Sequence, residues 1–314
     1  MGVAFVFPGQ GSQAVGMGKA LAENFASARE VFEEVDAALG DKLSGIMWEG
    51  PKETLTLTAN AQPALMAVSM AVMRVLEQEK GFKLADKVKF VAGHSLGEYS
   101  ALAAAGAFSL ADAARLLRLR GEAMQKAVPV GEGAMAALLG VSLDVAVKVA
   151  EAAAQGDVCQ VANDNDPTQV VLSGHKRAID RVAEVGKSFG VRRAMPLPVS
   201  APFHCALMQP AADAMAEALS KIDIKAPSVP VISNVLAAPS ADPEEIRKRL
   251  VEQVTGTVRW RESVLYMATN GITQVYEAGA GKVLSGLVGR IDKSIAAAPV
   301  GTPEEIEAAA STLG

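Results

Sequence analysis

The sequence predicts an α/β fold in two parts, a large domain around a parallel sheet and a small inserted subdomain. Apolar runs of strand length, such as residues 3–7 and 88–92, alternate with helical stretches, which is typical of a parallel sheet. Residues 134–199 instead read strand, helix, strand, strand, helix, strand, the βαββαβ order of a ferredoxin-like subdomain. We therefore expect residues 1–130 and 199–314 in the large domain and residues 131–198 in the subdomain.

The composition limits the possible functions. Of the 314 residues, 50% are hydrophobic and 21% are charged, which allows an ample core. The net charge of -5 argues against nucleic-acid binding, because phosphate contacts need a basic excess. No export signal and no apolar run of about 18 residues is found, so we expect no membrane partner. Cys159 and Cys205 are too few for a disulfide framework, which favours a cytoplasmic protein with reduced thiols.

The first strand ends in a glycine-rich loop, residues 8–14. Its Gly9, Gly11 and Ala14 match the spacing of a dinucleotide-binding loop, which also requires a second strand with an acidic end about 20 residues later. Residues 16–39 are helix formers throughout, and they predict one or two helices and no strand. We therefore interpret the spacing as coincidental and expect the loop to direct backbone N–H groups and Gln10 toward a site.

A possible nucleophile follows the second strand. Residues 93–97 read GHSLG, between an apolar strand and a helix of small residues. The pattern G-x-S-x-G in this context predicts a serine on a sharp turn, as in α/β-hydrolase-like domains. The Ser95 hydroxyl would project above the sheet edge, with the N–H of Leu96 pointing to the same place. The alternative is that Ser95 only caps the helix.

A serine nucleophile needs a base, and the chain has three histidines. We expect His94 to point away from the serine and His175 to lie on a surface loop. His204, in a proline-containing turn before a helix, is the candidate base; the alternative is a buried histidine without a catalytic role. An α/β-hydrolase runs Ser, then Asp or Glu, then His near the C-terminus, whereas about 110 residues follow His204. We therefore expect another group, such as a neutral carbonyl, to orient its ring.

One charge lies on an apolar helix face. Residues 110–124 predict a helix whose apolar stripe consists of Leu110, Ala113, Leu116, Leu117 and Met124. Arg120 falls in the middle of this stripe, and an arginine that faces the core needs an anionic partner. The partner is either a buried Asp or Glu or the carboxylate of a substrate, which the guanidinium can bind with two hydrogen bonds.

The remaining elements complete the large domain. We expect helices near residues 63–78 and 206–219, and a helix that starts at Asp242-Pro243. We expect residues 272–279 to form the last strand, with a helix from Lys282 after it.

These features together resemble the malonyl-CoA:acyl carrier protein transacylase family, acyltransferases of fatty-acid and polyketide synthesis. The matching segments run in order along nearly the whole chain. They are FPGQGSQ (7–13), QPA (62–64), GHSLGEYSAL (93–102), RG (120–121), VANDN (161–165), VSAPFHCALM (199–208), ISNV (232–235) and EQVTGTVRW (252–260). The chain departs from the family at residues 279–281, GAG, where members often have proline in the middle.

The resemblance implies a catalytic set. Ser95 would carry the malonyl group as an ester, and His204 would act as its general base and acid. A carbonyl of Gln253 would accept the other imidazole N–H.

The resemblance also implies binding roles. The backbone N–H groups of Gln10 and Leu96 would form an oxyanion hole, and Arg120 would bind the malonyl carboxylate. Asn165 and Asn234 would lie near the substrate.

The implied reaction is a ping-pong transfer from malonyl-CoA to the phosphopantetheine thiol of acyl carrier protein, without a metal or cofactor. The carrier protein is expected to be acidic, so basic residues near the cleft should receive it. Two other functions remain possible: a serine hydrolase, and a non-catalytic module that binds carrier protein. The presence of Arg120 argues against the first, and the combination of Ser95, His204 and Arg120 argues against the second.

Overall fold

The computed structural model describes residues 2–199 and 201–313; Ser200, within the segment 199–208, lies outside the described residues. The strands are β1 (Gly2–Phe7), β2 (Phe90–Gly93), β3 (Gly133–Leu139), β4 (Cys159–Asp166), β5 (Gln169–His175), β6 (Arg193–Pro196), β7 (Val231–Ser233), β8 (Ala238–Ser240), β9 (Ile272–Ala278) and β10 (Ala296–Val300).

The helices cover both faces of the large sheet and one face of the small sheet. They are α1 (Lys19–Asn24), α2 (Ala26–Leu39), α3 (Leu43–Glu49), α4 (Lys52–Thr56), α5 (Thr58–Gln78), α6 (Leu84–Lys87), α7 (Leu96–Ala104), α8 (Leu110–Lys126), α9 (Leu143–Ala154), α10 (Lys176–Ser188), α11 (Gln209–Ser220), α12 (Pro243–Thr255), α13 (Trp260–Thr269), α14 (Val283–Ile291) and α15 (Pro303–Leu313), with a 3-10 turn at Ala206–Met208. Across the described ranges, no helix is both long and apolar enough to cross a membrane.

The large sheet has the strand order β10-β9-β1-β2-β7-β8. All neighbouring strands are parallel except β7 and β8, which form an antiparallel pair. Residues 4–7 of β1 are all apolar, with no alternation of apolar and polar side chains, and all four are fully buried. This is expected for a parallel sheet whose two faces are both covered by helices. The predicted parallel sheet is confirmed.

The small sheet has the order β4-β5-β3-β6 and is antiparallel throughout. With α9 and α10 between its strands it follows the predicted βαββαβ order, which is confirmed. Strand β4 is tied to the segment between α12 and α13, since Asp164 N donates to Val258 O (3.0 Å) and Val258 N donates to Ala162 O (2.9 Å). Asp164 also forms an ion pair with Arg261 of α13 at 2.8 Å.

Two predictions about the ends of the elements are wrong. The last strand is β10 and not β9, and α15 follows it. The sequence of β10, AAAPV, lacks the β-branched run that marks a central strand, and β10 pairs with one neighbour only at the sheet edge. The long helix starts at Thr58, so that Pro63 lies inside it instead of at its beginning.

The segment after β1 contains α1 and α2 and no strand up to Leu39. This agrees with the rejection of a dinucleotide site. Phe7 at the end of β1 pairs with Gly93 at the end of β2, so that the glycine-rich loop and the GHSLG turn leave the sheet side by side. The carboxyl edge of a parallel sheet is the usual place for a ligand site.

Candidate active site

Ser95 lies on a strained turn between β2 and α7. Its φ is 53° and its ψ is -111°, a backbone conformation that residues other than glycine rarely adopt. The flanking glycines permit this turn by close packing: a Cβ on Gly93 would lie 1.9 Å from the carbonyl of Gly97, and one on Gly97 would lie 2.2 Å from Phe7 O. The Ser95 side chain makes no capping hydrogen bond to α7, so its hydroxyl is directed elsewhere.

The hydroxyl meets a histidine ring. Ser95 Oγ lies 2.7 Å from His204 Nε2, and His204 Nδ1 lies 2.8 Å from the carbonyl oxygen of Gln253. A carbonyl can only accept, so Nδ1 carries the proton and Nε2 is left to accept the serine proton. Gln253 is in the last turn of α12, where carbonyl groups lack helical partners and carry partial negative charge.

Burial keeps the imidazole neutral. His204 is 4% exposed, and its φ of 57° shows that its backbone, like that of Ser95, is strained. Burial and then the nearby charge of Arg120 lower the pKa of His204 to about 3. The ring is therefore available as a proton acceptor at neutral pH.

Arg120 lies beside the nucleophile and is 1% exposed. Its Nη2 donates to Ser95 Oγ (3.1 Å) and to Gln253 Oε1 (2.8 Å), and its Nη1 donates to Gln62 Oε1 (2.8 Å). Within residues 2–199 and 201–313, no Asp or Glu forms an ion pair with Arg120, and its Nε has no hydrogen-bond partner. The guanidinium thus has neutral protein partners and a donor to spare, which suits an incoming anion.

A buried carboxylate lies next to this group. Glu98, in the first turn of α7, is 3% exposed. Its Oε2 accepts from Gln253 Nε2 (2.7 Å) and from Asn234 N (3.1 Å). Burial raises the pKa of Glu98 to about 7.

The two asparagines expected near the substrate bind protein groups. Asn234 accepts a hydrogen bond from Ser95 N (2.7 Å) and donates one to Gly93 O (2.7 Å). Asn165 Oδ1 accepts from His94 Nε2 at 2.9 Å, and the histidine that contacts Ser95 Oγ is His204. Neither asparagine is among the described residues that line the cavity; both bond to residues of the GHSLG turn.

His175 lies outside the site. Its Nδ1 accepts from Val158 N at 2.9 Å within the small subdomain, where its side chain is 34% exposed.

The cavity above Ser95 has a volume of about 440 Å³, within the usual range for small-molecule sites. Its lining includes Gln10, Gln62, Leu96 and Asn163, and it has an apolar wall at residues 197–199, where the small subdomain joins the large domain. In the part of the chain that the structure describes, the backbone N–H groups of Gln10 and Leu96 have no acceptor. They are free to receive an oxyanion.

Sequence reasoning missed Gln62, Glu98 and Asn163 as parts of the site. Glu98 and Gln62 are within the segments that carry the family resemblance, but nothing local showed that they approach Arg120 or Gln253. The only signal for Glu98 was one charge in a helix of small residues. Chemically, the assembled groups can activate a serine for attack on a carbonyl and hold a carboxylate beside it.

Comparison with known proteins agrees with this geometry. Residues 4–296 match the acyl transferase domain family. The malonyl CoA-acyl carrier protein transacylase of Escherichia coli (strain K12) is 47% identical over 306 residues, 98% of each chain.

Solved structures are similar over the whole chain. An acyl-carrier-protein-S-malonyltransferase from Bartonella henselae matches with a TM-score of 0.98 and 60% identity, covering 100% of both chains. A malonyl-transacylase solved in complex with its type II polyketide synthase acyl-carrier protein matches with a TM-score of 0.96 and 42% identity, covering 99% of this chain and 100% of the other.

Proposed function

The chain belongs to the acyl transferase family, and we infer that it transfers the malonyl group of malonyl-CoA to acyl carrier protein through an ester on Ser95. The observation that carries the choice of substrate is the position of Arg120. This buried guanidinium has no carboxylate partner among the described residues and donates to Ser95 Oγ over 3.1 Å. A carboxylate on the acyl group would reach it while the acyl carbon lies over the nucleophile.

The first half of the reaction acylates the enzyme. His204 Nε2 takes the hydroxyl proton as Ser95 Oγ attacks the thioester carbonyl of malonyl-CoA. The negative charge that develops on the carbonyl oxygen is stabilised by the N–H groups of Gln10 and Leu96. The C–S bond then breaks, and the CoA thiolate leaves with the proton from His204.

The second half reverses these proton movements. The phosphopantetheine thiol of the carrier protein gives its proton to His204 and attacks the ester carbonyl. The C–O bond breaks, and Ser95 recovers its proton from His204. The carbonyl of Gln253 orients the imidazole in both halves of the reaction. An imidazole oriented by a neutral carbonyl is a weaker base than one oriented by a carboxylate.

The two structural parts have distinct roles in this proposal. Residues 1–130 and 199–314 supply the reacting groups, and residues 131–198 supply one wall of the cavity. The contacts of β4 with residue 258 and with Arg261 support a fixed relation between the parts. We also propose that the protein works in the cytoplasm, which its two buried free cysteines support.

The test of the function is intact mass spectrometry after mixing with malonyl-CoA alone. We expect one malonyl group per chain, on Ser95, and no adduct on Ser95→Ala. Addition of carrier protein should discharge the adduct onto its thiol. Release as free malonate would instead indicate a hydrolase, and absence of any adduct would indicate a binding module.

A further inference from the structure

Glu98 and Arg120 are connected through one side-chain amide. Gln253 Nε2 donates to Glu98 Oε2 over 2.7 Å, and Gln253 Oε1 accepts from Arg120 Nη2 over 2.8 Å. The amide dipole is therefore aligned between a negative and a positive group. Arg120 lines the cavity, whereas Glu98 is not among the described residues that line it.

The charges of the site balance only in the absence of substrate. Arg120 and Glu98 are each at most 3% exposed, and together they are neutral when Glu98 is ionised. A substrate carboxylate on Arg120 would add a second negative charge to a buried site, which is unfavourable. A proton on Glu98 would restore neutrality without moving any heavy atom.

We propose that Glu98 is a positioning residue that holds Gln253 and serves as the internal counter-ion of Arg120, and that it takes up a proton when a carboxylate-bearing acyl group binds. As a result, the preference for malonyl over acetyl increases as the pH falls through neutrality. This inference rests on the proposed function, specifically on the binding of the malonyl carboxylate by Arg120.

The other titratable groups around Glu98 are Tyr99, His94, His204 and Arg120, and burial shifts the pKa of each one toward the neutral form. Burial raises the pKa of Tyr99, on α7, to about 12. Burial lowers the pKa of His204 to about 3 and also lowers that of His94, the residue after β2. Arg120, on α8, remains protonated. Glu98, with a pKa of about 7, is therefore the group beside Gln253 and Arg120 that we expect to titrate near neutrality.

Glu98→Gln is a sharp test because it removes the charge and keeps the shape. The glutamine oxygen can still accept from Asn234 N and Gln253 Nε2. The matched control is Glu277→Gln: Glu277 is another fully buried carboxylate, but it accepts from Leu284 N and from Ser285 at the start of α14. The measurement is kcat/KM for malonyl-CoA and acetyl-CoA between about pH 6 and about pH 8.5, because the ratio cancels the titration of the CoA phosphates.

In the wild type, the malonyl-to-acetyl ratio should fall about tenfold from low to high pH, since a neighbouring charge shifts a pKa by about one unit or more. The ratio should be flat in Glu98→Gln and should follow the wild type in Glu277→Gln. A flat ratio in the wild type, or an unchanged slope in Glu98→Gln, would overturn the inference. Failure of the wild type to transfer malonyl at any pH would instead overturn the proposed function.

A second measurement does not depend on the folding of Glu98→Gln. Calorimetry of the Ser95→Ala variant with malonyl-pantetheine, in two buffers of different protonation enthalpy, reports protons taken up on binding. Near pH 7.5 we expect an uptake of about half a proton for a shift of one unit, and none with acetyl-pantetheine. Malonyl binding without proton uptake would overturn the inference.

Discussion

Arg120 Nη2 donates a hydrogen bond to Ser95 Oγ over 3.1 Å, so the cation of the cavity touches the group that we propose as the nucleophile. The same oxygen lies 2.7 Å from His204 Nε2. Recognition of a carboxylate and activation of the serine therefore occur within one hydrogen-bonded cluster, and changes at either residue should affect acylation.

Replacing Arg120 with alanine should reduce malonyl transfer much more than acetyl transfer. Loss of one partner of a buried, hydrogen-bonded charge pair costs about 2–5 kcal/mol, which corresponds to a fall of roughly 30- to 5000-fold in kcat/KM for malonyl-CoA. Acetyl transfer should fall little or rise, because acetyl leaves the Arg120 charge unpaired. Arg115→Ala, a change at a more exposed position on the same helix, is the control and should alter neither value. Equal losses on both substrates would show that Arg120 has only a structural role.

Removing His204 should slow the acylation of Ser95 by about 10²- to 10⁴-fold, the usual contribution of general acid–base catalysis. Because the pKa of His204 is lowered to about 3, the neutral ring persists well below the usual histidine range. The wild-type acylation rate at saturating malonyl-CoA should therefore show no loss with a midpoint near pH 6.5. His175→Ala should leave the rate unchanged. An acylation rate of His204→Ala within about threefold of the wild type would reject His204 as the base.

Asn234 should matter for stability as well as for rate. Its side chain accepts from the half-buried Ser95 N and donates to the buried Gly93 O, and alanine would remove both bonds. We expect Asn234→Ala to lower the free energy of unfolding by about 1–3 kcal/mol and to reduce turnover as the turn relaxes. Urea denaturation checks the first effect. The exposed Asn24, which bonds only within its helix, provides the control Asn24→Ala, with a change below about 0.5 kcal/mol.

Two glycines in helices should respond to alanine in opposite ways. At Gly97 of α7 a Cβ would lie 2.2 Å from Phe7 O, whereas at Gly289 of α14 it would meet nothing within 4 Å. Gly97→Ala should therefore destabilise the protein by about 1–3 kcal/mol and displace the turn, with loss of acylation. Gly289→Ala should stabilise it by about 0.5–1 kcal/mol. Melting temperatures test both, and a tolerated Gly97→Ala would contradict the close packing of α7 on β1.

The sequence predicted best those features that depend on residues close together along the chain. The helical periodicity of residues 110–124 correctly predicted that Arg120 is buried, and the strand–GHSLG–helix context correctly predicted the turn at Ser95. The edge strand β10 was missed because small residues carry little strand signal.

The partners of Arg120 could not be predicted in the same way. The apolar stripe of residues 110–124 implied a partner for Arg120 but did not identify it. The observed hydrogen-bond partners, Gln62 and Gln253, are 58 and 133 residues away in sequence. The opposite charge, Glu98, reaches Arg120 only through an intervening amide. A rule that seeks a direct ion pair for a buried arginine cannot find such an arrangement.

The group that orients His204 is a main-chain oxygen at the end of α12. Every amino acid supplies that oxygen, so no codon change at position 253 deletes it. In a mutational scan, position 253 would report only the side-chain bonds to Arg120, Ser95 and Glu98. Loss of the acceptor itself would map to changes that unwind the helix end, such as those at Gly256, where a Cβ would lie 2.8 Å from Glu252 O. Substitutions that impair the orientation of His204 would therefore lie at positions other than Gln253, although the main chain of Gln253 supplies the acceptor.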